Sequence, residues 1–398
     1  MQPQNSVELK IFDLNCWALR ILSKKRKERL AKIGYLVIEG QYDLVLLQEI
    51  WSDIDYSELK QRLSVEFPYT HHFKSGVIGS GLCVFSRFPI MDCLQHQFSL
   101  NGFPYMINHG DWFCGKAVGL VKIRVHGFLC HVYITHLHAE YCREKDCYQS
   151  HRILQSWELA QFIRHTSRGS EVVILAGDLN MHPGDLGLRL IREWTELKDA
   201  YTECSDYEGP PNGCTLLPSN PYTNQQELKN FPQGIRIDYI MYQSNPNVSV
   251  TCRRVNTGSG IPLADMHYSD HEIVTATLCL QRLSGVKNQC RENPPASVVS
   301  PLFTACYTEL RAGLHTAERW RTAFGYVTLL LIAFLILQCS SNLLFLLGST
   351  FSFFPSTFLT ILFLLISFTS LVLHSEERHQ LQSVMEQMSL VESGLQEN

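Results

Sequence analysis

The chain has 398 residues, 45% of them hydrophobic, and a formal net charge of −4 at pH 7. That length accommodates one sizeable domain with sequence to spare, and the near-neutral balance argues against a nucleic-acid enzyme, which needs a basic face. Fourteen cysteines are scattered without a CxxC pair, and Cys83, Cys130 and Cys279 sit in apolar runs. They read as reduced thiols packed like small hydrophobes, not as a secreted disulfide framework.

The opening residues, MQPQNSVELKIFDLN, lack the apolar core of a signal peptide, so the N-terminal part is expected in the cytosol. Period-two or fully apolar runs predict strands at Val7–Leu14, Asp43–Gln48, Gly81–Ser86, Ala117–Val125, Phe128–Thr135, Glu171–Ala176, Ile237–Tyr242, Val248–Val255 and Glu272–Leu280. Helical spacing appears at 24–39, 53–64, 147–167 and 184–194. Strand–helix–strand units mixed with adjacent strand pairs predict an α/β fold, its mixed sheets packed on each other with helices outside. The basic cluster Lys24-Lys25-Arg26-Lys27-Glu28-Arg29 opens the first helix and reads as a solvated helix face. Residues 203–236, rich in Pro, Gly and Asn, read as a long loop, a functional segment or a surface insertion.

After about Leu283 the run GVKNQCRENPPAS reads as a linker. The expected organisation is therefore a domain over 1–285, a linker over 286–322, two spans at 323–347 and 351–373, and a helical tail over 374–398. Neither span contains a charged side chain, and each is long enough to cross roughly 30 Å of hydrocarbon at about 1.5 Å per residue. Arg311, Arg319 and Arg321 precede the first span and Arg378 follows the second, whereas the connection Gly348-Ser349-Thr350 is uncharged. The positive-inside rule then gives a hairpin with both ends in the cytosol. A domain held at a membrane points to a lipid substrate. In the tail, Leu381, Val384, Met385, Met388, Val391 and Leu395 have helical apolar spacing. That stripe fits packing on the domain, lying on lipid or pairing with a second copy, and the oligomeric state stays open.

Polar residues collect where apolar strands end: Asn15, Glu49, His136, Asp178 with Asn180, Asp238, and Asp270-His271. Each alone has a plain structural reading as a turn former, a helix cap or a hydrogen-bonded core histidine. Together they point to a site. Carboxylates with Asn carbonyls are hard oxygen donors of the kind Mg²⁺ prefers, and the set suits metal-assisted hydrolysis of a phosphodiester. No thiolate set or multi-His cage asks for zinc, although His136 and His138, two apart on a strand, share a face and leave a metal pair geometrically open.

The pieces Leu14-Asn15, Leu47-Gln48-Glu49, Thr135-His136-Leu137, Gly177-Asp178-Leu179-Asn180, Arg236-Ile237-Asp238-Tyr239 and Ser269-Asp270-His271 follow one another in this order. They resemble the motifs of the endonuclease/exonuclease/phosphatase superfamily, whose type member is deoxyribonuclease I, and they cover almost the whole of the first domain. Within it, Asn15-Cys16-Trp17, the run from Gly81 to Ile90, Gly115-Lys116-Ala117 and the run from Thr135 to Glu140 resemble the magnesium-dependent neutral sphingomyelinases, as do the twin C-terminal spans.

The resemblance implies a four-layer α/β sandwich of two packed mixed sheets, plus a transmembrane hairpin. It implies phospholipase C-type hydrolysis of sphingomyelin to ceramide and phosphocholine by a catalytic domain over 1–285. That domain would face the cytosol from the endoplasmic reticulum or a related intracellular membrane. The implied cofactor is Mg²⁺, for which Mn²⁺ can substitute, with Glu49 its principal ligand and Asn15 helping through the ion's waters. His271 would be the general base, Asp238 would fix its tautomer, Asp270 would flank the metal and water side, and Asp178 would orient the water. Asn180 would donate to a phosphate oxygen, and His136 would stabilise charge or protonate the leaving ceramide oxygen. Lys116 would lie beside the site, paired with Asp111 in one state and apart in another. The plain alternative for that pair is a surface ion pair worth about 0–1 kcal/mol.

Three neighbours on the same fold compete. A phospholipase C acting on lyso-phosphocholine lipids differs only in substrate. An endonuclease would carry a basic face, and an inositol polyphosphate phosphatase would carry Lys/Arg clusters near its site; neither is visible. A non-enzymatic membrane scaffold has no use for these polar residues in catalytic order.

Overall fold

Along β1 (Ser6–Asn15) and β2 (Leu44–Gln48) successive side chains point to opposite faces, and from Ile11 onward in β1 and throughout β2 all of them are buried. Both faces of the sheet are therefore covered there, which explains why β2 reads as an unbroken apolar run. In the computed structural model, which describes residues 6–106, 108–258, 267–283, 294–344 and 353–396, the chain divides into two units, Met1–Leu302 and Phe303–Asn398.

The remaining strands of the first unit are β3 (Tyr69–His72), β4 (Cys83–Ser86), β5 (Ile90–Gln97), β6 (Ala117–Val125), β7 (Phe128–His136), β8 (Val172–Asp178), β9 (Lys198–Asp199), β10 (Asp206–Glu208), β11 (Asp238–Ser244), β12 (Val248–Thr257) and β13 (Val274–Arg282). One sheet runs β10-β12-β13-β1-β2-β4-β3 and the other β5-β6-β7-β8-β11-β9. Each is mixed: β1 with β2 and β7 with β8 are parallel, whereas β1 with β13 and β8 with β11 are antiparallel.

Three apolar layers hold the sheets. Between them, Leu9, Ile11, Leu44 and Leu46 pack in one cluster with Val121, Val132, Ile174 and Ile240. On the outer face of the first sheet, Phe12, Leu14, Val45 and Leu47 cluster with Leu30, Ile33 and Val37 of α1 (Arg26–Glu39) and Leu59 and Leu63 of α2 (Asp53–Leu63). Ser52 caps α2, its Oγ accepting from the Ile54 amide, with acids in the first turn and bases in the last. A one-turn α3 (Asp111–Cys114) precedes β6, and α4 (Gln149–Thr166) and α5 (Leu186–Thr195) cover the second sheet through Leu159, Ile163, Leu188 and Ile191. The one-turn α6 (Ala200–Glu203) follows β9. Each fully buried aliphatic or Phe side chain contributes ~1.5–3 kcal/mol, so this four-layer arrangement is the thermodynamic reason for the alternation.

All nine expected strands form. Four more were not anticipated: β3, β5, β9 and β10. β3, β5 and β10 are the outermost strands of their sheets or lie on an open side, with exposed, mixed side chains, and β9 is two residues long. Cys83, Cys130 and Cys279 are buried and free, as expected.

Two long helices follow, α7 (Ala296–Leu344), whose first seven residues belong to the first unit, and α8 (Phe353–Gln396), both long and apolar enough to cross a membrane. Residues 345–352, including Gly348-Ser349-Thr350 and the adjoining ends of both expected spans, lie outside the described residues. Thr328 Oγ1 meets Ser367 Oγ at 2.8 Å, Thr360 Oγ1 donates to Gln338 Oε1, and the Trp320 and Phe324 rings stack on His374. These pairings run in opposite directions along the two helices, as a hairpin requires. Arg378 continues the same register to Glu318 at 3.5 Å. One expectation changes here. Residues 296–322, read as linker, are helical, while 284–293 lie outside the described residues. The helical tail is the continuation of α8, with Leu381, Val384 and Met388 buried.

Candidate active site

The inner faces of five strands, dry along their length, turn polar at one end. In β1 the face that carries Leu9 and Ile11 continues to Asp13 and Asn15; in β2, Leu44 and Leu46 lead to Gln48; in β7, Val132 and Ile134 to His136; in β8, Ile174 and Ala176 to Asp178. In β11 Asp238 precedes Ile240 on that face. Strand register puts His136 beside Asp178 and Asp178 beside Asp238. Gly177 lets the strands come this close: its φ is 140°, and a Cβ there would collide with the Thr135 carbonyl. Just beyond the strand ends, Glu49 (φ 60°) and Asn180 (φ 49°) adopt left-handed backbone, which non-glycine residues rarely occupy and which clusters at functional sites.

On one side stands a dyad. His271 Nδ1 donates to Asp238 Oδ2 at 2.9 Å, leaving Nε2 to face the site 3.9 Å from Asp178 Oδ2. Burial by itself lowers the imidazole pKa, but the charges of Asp238, Asp270 and Asp178 outweigh it and hold His271 well above the ordinary value. Asp238 is raised by its burial, against the pull of His271.

On the other side the carboxylates are under-compensated. Asn15 Nδ2 donates to Glu49 Oε1 at 3.1 Å and to Asp178 Oδ2 at 3.0 Å, while its Oδ1 accepts from the Trp17 amide. Glu49 Oε2 is buried without a hydrogen-bond partner. The Asp270 carboxyl is pushed up to about 7, chiefly by burial, with the Glu49 charge adding to it. A buried carboxylate oxygen without a protein partner, beside a second buried acid, is a donor set that fits a hard cation. Asp178, Asp238 and His271 also bring ligand atoms within 4.8 Å of one another.

The third side is cationic. Lys116 Nζ lies 2.9 Å from Asp111 Oδ1 and 2.7 Å from His136 Nε2, and that nitrogen lies 3.2 Å from Asp178 Oδ2. The Asp111–Lys116 pair is no surface detail. Both residues are buried, and although burial favours the neutral acid, Lys116 and then His138 hold Asp111 well below the carboxylate range. Tyr141 and the Ala139 amide also donate to Asp111.

All the expected site residues except Asn180 thus converge through their side-chain polar groups. Asn180 Nδ2 donates to the Leu137 carbonyl at 3.0 Å, and its amide caps Asp178 Oδ1. One of the two Nδ2 hydrogens is thus bound to backbone, which fixes the amide and leaves the second donor available. Asn15 likewise has its amide oriented by protein, bridging Glu49 and Asp178, while one lone pair of its Oδ1 stays available to a water of an ion. His138 Nδ1 is 2.9 Å from the Ala139 carbonyl and burial lowers its pKa to about 3, whereas His136 Nε2 meets Lys116 and Asp178.

Two residues went unnoticed in the sequence. Asp13, fully buried, accepts from Gln48 Nε2 at 2.7 Å and keeps one oxygen unpartnered, with its pKa raised by burial and by Asp238. An acid at an inward position of an apolar strand was the available signal. Arg29, taken for part of a solvated face, is buried and donates to the carbonyls of Cys16, Trp17, Tyr268 and Lys24. It fastens the segment after Asn15 to the segment before Asp270. Nothing in its charge distinguished it from the lysines beside it.

Comparison with known proteins places this geometry. The profile of the Endonuclease/Exonuclease/phosphatase family matches residues 14–271. Sphingomyelin phosphodiesterase 2 of Rattus norvegicus is 47% identical over 343 residues, covering 85% of this chain and 81% of that protein. The Homo sapiens protein of the same name is 48% identical over 343 residues, with 85% and 81% covered. Among solved structures, a variant of beta toxin from Staphylococcus aureus with bound magnesium ions superposes with a TM-score of 0.53 at 19% identity, covering 68% of this chain and 99% of that one. At that identity it speaks to the fold alone.

Proposed function

Because this chain belongs to the endonuclease/exonuclease/phosphatase family, and within it to the branch of sphingomyelin phosphodiesterase 2, we propose that it is a membrane-anchored sphingomyelin phosphodiesterase. It hydrolyses sphingomyelin to ceramide and phosphocholine. The observation that carries the mechanism is the His271–Asp238 dyad facing Asp178, with the Lys116–His136 pair on the other side of the same carboxylate.

Asp238 holds the His271 proton on Nδ1, so Nε2 is the atom free to take a proton from water. The water oxygen bonds to phosphorus, and the bond from phosphorus to the ceramide oxygen breaks. His136 and Lys116 supply positive charge and a proton on the departing side, where negative charge develops. Asp178 lies between the two histidines and keeps both aimed at the phosphate, while Asn15 ties Asp178 to Glu49. A bound divalent cation would supply Lewis acidity and neutralise phosphate charge. We assign it as Mg²⁺, with Mn²⁺ able to substitute, held by Glu49 with Asp270 beside it. The partnerless Glu49 Oε2 supports this placement. The alternative set, Asp178, Asp238 and His271, would take the base out of service.

The apolar hairpin of α7 and α8 fits an integral membrane protein. Its flanking arginines support a catalytic unit facing the cytosol, at the endoplasmic reticulum or a related membrane. One product assay tests the whole reading. Purified full chain, with Mg²⁺ or EDTA, is offered labelled sphingomyelin, lysophosphatidylcholine, abasic DNA and a phosphoinositide. Phosphocholine release from sphingomyelin that EDTA abolishes is the expected result. Preference for the lysolipid would reassign the substrate, and turnover unchanged in EDTA would remove the metal.

A further inference from the structure

The connection from β1 into α1 leaves the site at Asn15 and then exposes two aliphatic side chains in succession, Ile21 at 93% and Leu22 at 71%. A solvated helix face does not explain them, since they precede the helix. Around them Arg20, Lys24, Lys25 and Lys27 are exposed, with Glu28 the one exposed acid; Arg26 is occupied by Asp55. The tip is anchored, because Arg29 binds the carbonyls on both sides of it, Trp17 and Lys24, and the Ser23 amide donates to Leu19. A second apolar tip stands at the other end of the site. Val77 and Ile78, 71% and 44% exposed, both donate their amides to the Phe113 carbonyl, and Ser75 binds the Gly115 carbonyl next to Lys116. The contacts Asn15, Asp178, His136 and Lys116 run between the two tips.

An apolar point ringed by lysines and arginines is the chemistry of an interfacial lipid contact: aliphatic carbons enter the acyl boundary while cations meet phosphate and carboxylate headgroups. We propose that the Ile21-Leu22 tip, with its cationic collar, seats the rim of the active site in an anionic bilayer surface, with Val77-Ile78 as a second point of entry. The proposal rests on the reading that the substrate lies in a membrane, and it names a lipid other than the substrate. Sphingomyelin is zwitterionic and gives a cationic collar no net partner, whereas phosphatidylserine does.

The test uses the full chain in proteoliposomes of phosphatidylcholine and sphingomyelin, without and with about 20 mol% phosphatidylserine. Hydrogen exchange over residues 16–28 and phosphocholine release are both read. Wild-type protein is expected to become protected there and to turn over about tenfold faster with the anionic lipid, and both gains are expected to shrink as salt rises. A K24E/K25E/K27E variant should lose the response and keep its turnover on vesicles lacking phosphatidylserine. An I21S/L22S variant should lose turnover on vesicles and keep it on a monomeric short-chain sphingomyelin. Equal stimulation of the charge-reversed variant, or equal loss by I21S/L22S on the monomeric substrate, overturns the proposal. So does protection that grows with protein concentration in detergent alone, which is protein contact. Absence of sphingomyelin turnover in every arm would sink the substrate reading, while hydrogen exchange would still decide the rim.

Discussion

The two carboxylate-bearing sides of the site differ in completeness. On the side of His271 and Asp238, donor and acceptor meet at 2.9 Å with the imidazole tautomer settled by the protein alone. On the side of Glu49 and Asp270, one carboxylate oxygen has no partner and a second acid is pushed up to about 7 by burial. The first side is preorganised, and its geometry should survive removal of every small ion. The second carries charge that the protein itself does not compensate, and under the proposed assignment it should depend on the cation held there.

The largest effect tests the finished side. His271→Ala should lower kcat by on the order of 10²–10⁴ while leaving lipid binding nearly unchanged; a variant keeping more than about a tenth of its turnover would show that another group takes the proton. Next comes the unfinished side. Glu49→Gln keeps the size and loses the charge, so turnover should fall by on the order of 10² and resist added Mg²⁺. The wild-type Tm should rise with Mg²⁺ by mass action, and the variant's should not. A rise of equal size in both would move the cation to another set of ligands.

A pH profile sharpens the contrast further. His271 is held above its ordinary value, so it is a base only above that raised pKa, and turnover should climb with pH through it. The stability this protonation contributes is complete below the unfolded value of about 6.5 and is lost as pH rises through the folded one. Asp238→Asn removes the largest charge raising the pKa, so the acid limb should move to lower pH while the plateau drops about tenfold or more. An unmoved limb would mean that the limb reports another group. The smallest expected change in turnover, severalfold, belongs to Lys116→Ala. Its mark is on stability, because Asp111 would be left charged and buried, at a cost of about 3–5 kcal/mol in denaturant unfolding. A loss of under about 1 kcal/mol would mean that Tyr141 and the Ala139 amide satisfy the buried carboxylate without the lysine.

The sequence disclosed the fold where both faces of a strand are dry, because strands such as β2 and β8 then have no polar residue until the site begins. It was silent at β5 and β10, where an edge strand carries side chains as mixed as those of a loop. The site residues were legible for the same reason: Asn15, His136 and Asp178 are polar interruptions at the ends of apolar runs. What each one touches was not legible. Asn180 has the residue type of a phosphate donor, yet strand spacing brings the Leu137 carbonyl within its reach. The stripe of the C-terminal tail showed that one face would be covered, and apolar spacing carries no information about the cover.

One consequence of the pleat concerns how such a chain changes over generations. Each polar group of the inner face stands an even number of residues along from a core aliphatic, Asn15 four beyond Ile11, His136 two beyond Ile134, Asp178 two beyond Ala176. Gaining or losing one residue within β1, β7 or β8 would turn the reacting groups into the helical layer and bring outer aliphatics into their place. Gaining or losing two would keep every side chain on its own face and shift it by about 7 Å along the strand. Length variation inside these strands should therefore come in even steps, and variation of odd length should be confined to the loops.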